Sequence, residues 1–126
     1  AYLPATSVVE SITVRAVVPA AVTGLTLLAS SDIIDANWDA ISNSNDGGAP
    51  ITGYQFTWYV ATSSGGTKPT ESALDASIGT TTHAASYGRM RLGNSTLTQH
   101  LTGLTNGTTY TVEIQAINRV GVGPIK

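Results

Sequence analysis

Apolar and polar side chains alternate most regularly near the C-terminal end of the chain, from residue 110 to residue 117. The sequence there is Tyr-Thr-Val-Glu-Ile-Gln-Ala-Ile. A period of two with β-branched residues predicts a β-strand with one buried face. The predicted buried face carries Tyr110, Val112, Ile114 and Ala116.

Turn signals bracket this strand. Asn106 and Gly107 precede it, and both residue types tolerate the positive φ that tight turns require. Gly121 and Gly123 follow it, in a stretch whose composition cannot continue a regular ladder. The strand is therefore predicted to end near Asn118.

Five earlier segments also combine alternation with β-branched or aromatic residues: residues 9–18, 22–30, 32–40, 51–61 and 95–101. Strands at regular spacing, separated by turn residues, predict an antiparallel β-sandwich. The core predicted between its two sheets consists of Trp38, Tyr54, Phe56, Leu104, Tyr110, Val112 and Ile114.

Residues 62–94 are the least regular part of the chain. Thr70 is a favoured N-cap residue, so residues 70–76 are predicted to form one helical turn. Residues 83–92 predict an edge strand. Because long connections usually lie on the surface and carry contacts, we expect this insert to be the most exposed region and to contact a partner or sister subunit. Its deletion is expected to leave the fold largely intact.

The spacing L-x-x-L-x-N-G-T-x-Y-x-V-x-I-x-A-x-N-x-x-G-x-G-P over residues 101–124 resembles the E–F–G region of fibronectin type III domains. The resemblance implies an all-β, antiparallel, immunoglobulin-like sandwich, of the type found in bacterial or phage surface and structural proteins. Tyr110 matches the tyrosine whose hydroxyl closes the corner between strands E and F in that family. Trp38 matches the position of the family's core tryptophan.

Two features depart from a lone domain of this family. One is the long insert between strands C and E, and the other is an extra N-terminal strand predicted within residues 9–18. We therefore divide the chain into an extension at residues 1–21 and a fibronectin type III-like domain at residues 22–126. The apolar row of the extra strand consists of Ile12, Val14, Ala16 and Val18.

The extra strand resembles the second half of the family's strand G. The chain reaches Lys126 where strand G begins to pair, so we expect strand F to have an open edge that residues 11–17 are suited to cover. Three arrangements remain open. The segment pairs with strand F of its own domain, it adds to strand F of another copy, or it is the trace of a neighbouring repeat in a longer array.

Composition limits the classes of function. The chain has 126 residues, enough for one domain with a core, and only 11% of them are charged. The formal net charge is −2 and no basic patch is visible, which argues against a nucleic-acid partner. No apolar run approaches the ~20 residues of a membrane span. Cysteine is absent, which excludes disulfides and thiolate metal sites.

The sequence contains no candidate catalytic motif. There is no nucleophile elbow, P-loop or dinucleotide fingerprint, and the eight acidic residues are scattered. We predict no catalytic residue, no cofactor and no metal site. His83 and His100 are far apart, and Asn43, Asn45 and Asp46 lack the spacing of a calcium loop.

Tyr87, Arg89 and Arg91 form the one cluster with binding chemistry. Such side chains bind a carboxylate or a sugar ring, but they also solubilise an edge strand, and we favour the second interpretation.

The expected function is a non-enzymatic structural or adhesive unit of an extracellular surface protein, filament or virion. Its expected partners are other copies of itself or neighbouring repeats, with a surface glycan or protein ligand as a further candidate. An accessory module of a secreted polysaccharide-degrading enzyme is the alternative. A fold alone does not decide between them.

Overall fold

A computed structural model describes residues 9–79 and 86–125. One antiparallel sheet contains β1 (Thr26–Ser30), β2 (Ile33–Asn37) and, further along the chain, β5 (Thr98–Leu101). The second contains β3 (Gly53–Val60), β4 (Tyr87–Gly93) and β6 (Tyr110–Ile117). The spatial orders are β1-β2-β5 and β4-β3-β6. The predicted all-β sandwich is confirmed.

Some predictions fall outside the described residues. These are the first eight residues of the extension, the start of the predicted edge strand with His83, and Lys126. No helix within residues 9–79 and 86–125 is long and apolar enough to cross a membrane.

The core forms where the apolar rows of the two sheets meet. The ring of Trp38 lies 5.9 Å from that of Tyr54 and 6.0 Å from that of Phe56, between centroids. These three residues, Leu104 and Ile114 are buried as predicted. The other two residues of the predicted core, on β6, are only partly buried and pack against the same cluster.

The corner before β6 has the predicted tyrosine hydrogen bond. The backbone N–H of Thr105 donates to the hydroxyl oxygen of Tyr110 at 3.0 Å. The turn itself places Gly107 at φ 83°, a conformation that glycine adopts without strain. The side-chain oxygen of Asn106 accepts from the N–H of Asp32 at 2.7 Å, which ties this corner to the other sheet.

Tyr110→Phe is expected to lower the free energy of unfolding by about 1 kcal/mol, the net contribution of one hydrogen bond. Urea unfolding measures the change. Tyr87→Phe is the matched control, because the structure shows no hydrogen bond from the Tyr87 hydroxyl within the described residues, and it should change the stability by less than about 0.5 kcal/mol. Equal effects of the two variants would contradict a structural role for the corner.

The insert packs more closely against the domain than we predicted. Its helix α1 (Glu71–Ala76) begins as expected, with the Thr70 side chain accepting from the N–H of Ala73 at 3.2 Å. However, Leu74 of this helix is fully buried, and β4, which also belongs to the insert, pairs along the length of β3. The predicted edge strand is present as β4, but the expected exposure of the insert was wrong because α1 packs on β4 and buries Leu74. The contact of the insert with a partner stays a prediction.

The extension also differs from its prediction. Residues 9–25 contain no strand in this structure. The side chains of Ile12 and Val14 are 92% and 93% exposed. The physical reason is that alternation creates a strand only where a second strand supplies hydrogen-bond partners, and no described strand lies beside this segment.

Candidate interaction site

Among the described residues, β6 has a neighbouring strand on one side only. Its odd-numbered residues face β3, as flanking hydrogen bonds show. Thr52 donates to the carbonyl of Ile117 at 2.8 Å, and Ala61 donates to the carbonyl of Thr109 at 2.9 Å. Because successive residues of a strand direct their backbone groups to alternate sides, the even-numbered residues of β6 face the open edge.

The described residues that follow β6 bond to only one end of that edge. The N–H of Gly123 donates to the carbonyl of Ala116 at 2.8 Å, and an isolated bridge joins Ile117 to Val122. Towards the N-terminal end of β6, the backbone groups of Val112 and Ile114 face no strand in the described part of the chain. A row of unpaired N–H and C=O groups is a template for another strand.

The facing sheet is open on the same side. Its edge strand β1 lies near the start of β6, since Ala29 and Tyr110 line one shallow depression. Leu27 pairs with the fully buried Ala36, so both side chains point towards the core. Leu27 is nevertheless 46% exposed. We call the region between Leu27 on β1 and Val112 and Ile114 on β6, the two edge strands on this side of the sandwich, the β1–β6 groove.

The exposed segment, residues 9–16, leaves the domain at the other end of β6. The N–H of Val17 donates to the carbonyl of Gly47 at 2.8 Å. The side-chain amide of Asn118 donates to the carbonyl of Val17 at 2.7 Å. Since Asn118 directly follows β6, residue 17 is held at the C-terminal end of that strand, whereas the β1–β6 groove lies towards its N-terminal end.

Asn118 has a larger role than the strand end that the sequence predicts. Its side chain is buried, donates also to the carbonyl of Asp46 at 2.9 Å, and accepts from the N–H of Val120 at 2.9 Å. It thereby joins the extension, the loop before β3 and the loop after β6. An asparagine between a strand and a glycine-rich loop is the only sequence signal for this role, because its partners are distant in sequence.

The structure places Arg89 differently from its prediction. Its side chain is 2% exposed and lies on the outer face of the second sheet. Its Nε donates to the hydroxyl of Thr57 at 2.8 Å, and its Nη1 donates to the carboxylates of Glu71 at 2.8 Å and Asp75 at 2.7 Å. The carboxylates that it binds are the chain's own, so both predicted roles of Arg89 are wrong. Arg91 is exposed and Tyr87 half-buried, and their proposed ligand contacts stay predictions.

Helix α1 explains why this guanidinium is buried and charged. Burial lowers the pKa of Arg89, but the hydrogen bonds and charges of Glu71 and Asp75 outweigh that effect and raise its pKa above the ordinary value. The pairing closes the outer face of β3 beneath the helix.

A second polar group covers the same face beside β6. The hydroxyl of Tyr59 donates to the carboxylate of Glu113 at 3.0 Å, and the amine of Lys68 lies 3.2 Å from that carboxylate. Burial, together with the hydrogen bond and charge of Glu113, raises the pKa of Tyr59. Tyr59 and Lys68 are thus both held by Glu113 on the outer face of the sheet.

Three of the residues considered for a metal, Asn45, Asp46 and His100, have other partners. The carboxylate of Asp46 accepts from the N–H of Gly48 at 2.9 Å, and the amide of Asn45 donates to the hydroxyl of Ser42 at 3.0 Å. His100 contacts Asp35 across the paired strands β2 and β5. Within the described ranges, no three His, Asp or Glu side chains are grouped closely enough to hold a metal ion.

Comparison with known proteins identifies the class of this fold. The model of the fibronectin type III domain matches residues 20–126, and the chain belongs to that family. Domains of this family are commonly non-enzymatic structural or adhesive modules, and they often occur in extracellular or surface proteins. No curated protein matches the chain.

Solved structures show the same fold at low sequence identity. The third fibronectin III domain of the human KIAA0343 protein is 19% identical, with a TM-score of 0.62 over 96% of this chain and 87% of that one. The FN1–FN3 domains of chicken CNTN1 are 19% identical, with a TM-score of 0.60 over 86% of this chain. Domains A168–A170 of titin are 20% identical, with a TM-score of 0.59 over 87% of this chain. The chain spans 28% of the CNTN1 fragment and 30% of the titin fragment.

Proposed function

We propose that this chain is a non-enzymatic structural unit of an extracellular surface protein, filament or virion, and that it assembles by strand addition. In this proposal, the exposed segment of one copy pairs with the open edge of β6 in the next copy. Strand addition is an established mode of recognition, in which backbone hydrogen bonds supply affinity and alternate side chains supply specificity.

One observation carries the proposal. Among the described residues, the backbone groups of Val112 and Ile114 on β6 face no neighbouring strand, and the side chains of Val9, Ile12 and Val14 are 84%, 92% and 93% exposed. Each feature is unfavourable alone, because unpaired edges and exposed apolar side chains both promote association. The segment can supply hydrogen-bond partners to the strand edge, and the edge can bury the apolar side chains of the segment.

Removal of residues 1–16 is expected to convert an assembling chain into a monomer. The truncation stops before Val17, because its backbone groups bind Gly47 and Asn118. Sedimentation over a range of protein concentrations measures the mass of both forms. We expect concentration-dependent oligomers from the full chain and a single species of 11–12 kDa, about nine tenths of the 13.0 kDa chain, from the truncated one.

A synthetic peptide of residues 9–18 provides the second readout. Because a ligand that binds only the folded state stabilises it, the peptide should raise the Tm of the truncated chain in a concentration-dependent way. A peptide of the same composition with its alternation scrambled is the control. A full chain that remains monomeric at every concentration, or a truncated chain that assembles equally well, would contradict strand addition between copies.

A further inference from the structure

We propose that the β1–β6 groove selects its strand through Leu27, and that residues 11–17 of a second copy enter it antiparallel to β6 with Ile12 and Val14 facing Leu27. This inference rests on the proposed function and adds the direction of the incoming strand, its buried face and the residue that recognises it.

Direction excludes the chain's own segment as the occupant. An antiparallel strand beside β6 has its residue 17 near the first residue of β6, Tyr110. In the same chain, Val17 is bonded to Asn118, at the far end of β6. The strand has eight residues, so these two positions are about 25 Å apart at ~3.4 Å per residue. A second copy has no such restriction.

Parallel pairing of this segment within one chain is blocked at the C-terminal end of β6. To run parallel to β6, the segment has to lie beside Ala116 just before it reaches Val17. Gly123 already occupies that position through its hydrogen bond to the Ala116 carbonyl. A Cβ atom built on Gly123 would lie 2.5 Å from the carbonyl oxygen of Pro19, so this region is closely packed. Residues 9–17 of the same chain are therefore not placed to reach the open part of the edge, whereas those of a second copy have no such restriction.

The chemistry of the segment decides which face turns inward. Residues 12, 14 and 16 are Ile, Val and Ala, whereas residues 11, 13 and 15 are Ser, Thr and Arg. Since side chains alternate between the two faces of a strand, one face is apolar and the other polar. The apolar side chain on the β1 side of the groove is Leu27, which lies on the core side of that strand and is 46% exposed. Burial of the apolar row against it removes hydrocarbon surface from water on both copies.

The resulting contact is head-to-tail. Residue 17 of the incoming copy stays bonded to its own Gly47 and Asn118. The loop end of one copy is thereby brought to the turn at Asn106 and Gly107 of the next. A contact between two different surfaces repeats until a ring closes, or continues as a filament.

Two full-length variants with one added charge each test this arrangement. Val14→Asp disables the segment but keeps the groove, and Leu27→Asp disables the groove but keeps the segment, because a carboxylate is costly in an apolar contact. Both positions are exposed in the free chain, so the fold should be retained, and far-UV circular dichroism checks this. Each variant alone should be monomeric where the unmodified chain assembles. An equimolar mixture should give a dimer with one copy of each variant and no larger species.

Neighbouring positions provide matched controls. Leu28 follows Leu27 and is more exposed, at 70%, but it points to the opposite side of β1. Thr13 lies next to Val14 on the polar face of the segment. Leu28→Asp and Thr13→Asp should therefore assemble as the unmodified chain does.

The outcomes separate this inference from the proposed function. If Leu27→Asp assembles normally while removal of residues 1–16 still gives monomers, strands are added but Leu27 does not recognise them, and this inference alone fails. Failure of the two charged variants to form a mixed dimer also overturns it. Loss of assembly in Thr13→Asp but not in Val14→Asp would overturn it as well. If the unmodified chain does not assemble at all, both proposals fail.

Discussion

Trp38→Ala should lower the free energy of unfolding by about 3–5 kcal/mol, as truncations of large buried aromatic side chains do. The indole ring is 4% exposed and lies between the two sheets. It contacts the rings of Tyr54 and Phe56 from the opposite sheet, so its loss leaves a cavity where the sheets meet. Because small domains are stable by only ~5–15 kcal/mol in total, the variant should be partly unfolded at moderate temperature.

Urea unfolding at a concentration where the chain is monomeric measures this effect. The buried Trp58 remains as the fluorescent probe in the variant. The matched control is Leu28→Ala, which truncates a large side chain that is 70% exposed and should change the stability by less than about 0.5 kcal/mol. A cost below about 1 kcal/mol for Trp38→Ala would show that the sheets do not pack around this ring.

Removal of the two carboxylates that bind Arg89 should destabilise the domain more than removal of Arg89 itself. Glu71 and Asp75 are 67% and 58% exposed, whereas the Arg89 side chain is 2% exposed. Without the arginine, both carboxylates remain hydrated. Without the carboxylates, a buried cation has lost its counter-charges, and breaking a buried pair in this way typically costs ~3–5 kcal/mol. Since the carboxylates are half-exposed and water screens them, we expect about 2–3 kcal/mol here.

A thermodynamic mutant cycle of four proteins measures this difference in the free energy of unfolding. Its members are the unmodified chain, Arg89→Met, the pair Glu71→Ala with Asp75→Ala, and the combination of all three substitutions. We expect the combination to be more stable than the chain with only the carboxylates removed, because no buried charge is left. Ser72→Ala on the same helix is exposed and serves as the control for changes in helix propensity. Strictly additive costs would show that Arg89 does not depend on these carboxylates.

The inward-facing rows of the sandwich could be predicted from local patterns. A period of two places Ala36 with Trp38, and Tyr54 with Phe56, and the structure buries all four. The corner at Tyr110 was also predictable, since the turn and its tyrosine lie within a few residues of each other. Such features depend on backbone geometry and on neighbours in sequence, and a sequence displays both.

The outer face of β3 shows where this kind of prediction fails. Gln55 and Thr57 occupy the polar positions of an alternating strand, and alternation predicts that they face water. The structure buries both, and every residue of β3 except the last. Gln55 donates to the side chain of Gln115 on β6, and Thr57 accepts from Arg89 on β4, 32 residues away. Polar side chains become buried when partners satisfy their hydrogen bonds, and the partner of Thr57 depends on the path of the insert.

The candidate interaction site, too, could be predicted only in part from the sequence. The alternation of Ile12, Val14 and Ala16 predicted a strand. The resemblance to strand G indicated that this strand would pair with the edge of strand F. Neither observation could exclude pairing within one chain. That exclusion comes from the hydrogen bond between Asn118 and Val17, and the exposure of Leu27 comes from the order of strands in the two sheets. An amphipathic pattern depends on residues a few positions apart, whereas the end of β6 at which a distant segment is held depends on contacts that only the folded chain creates.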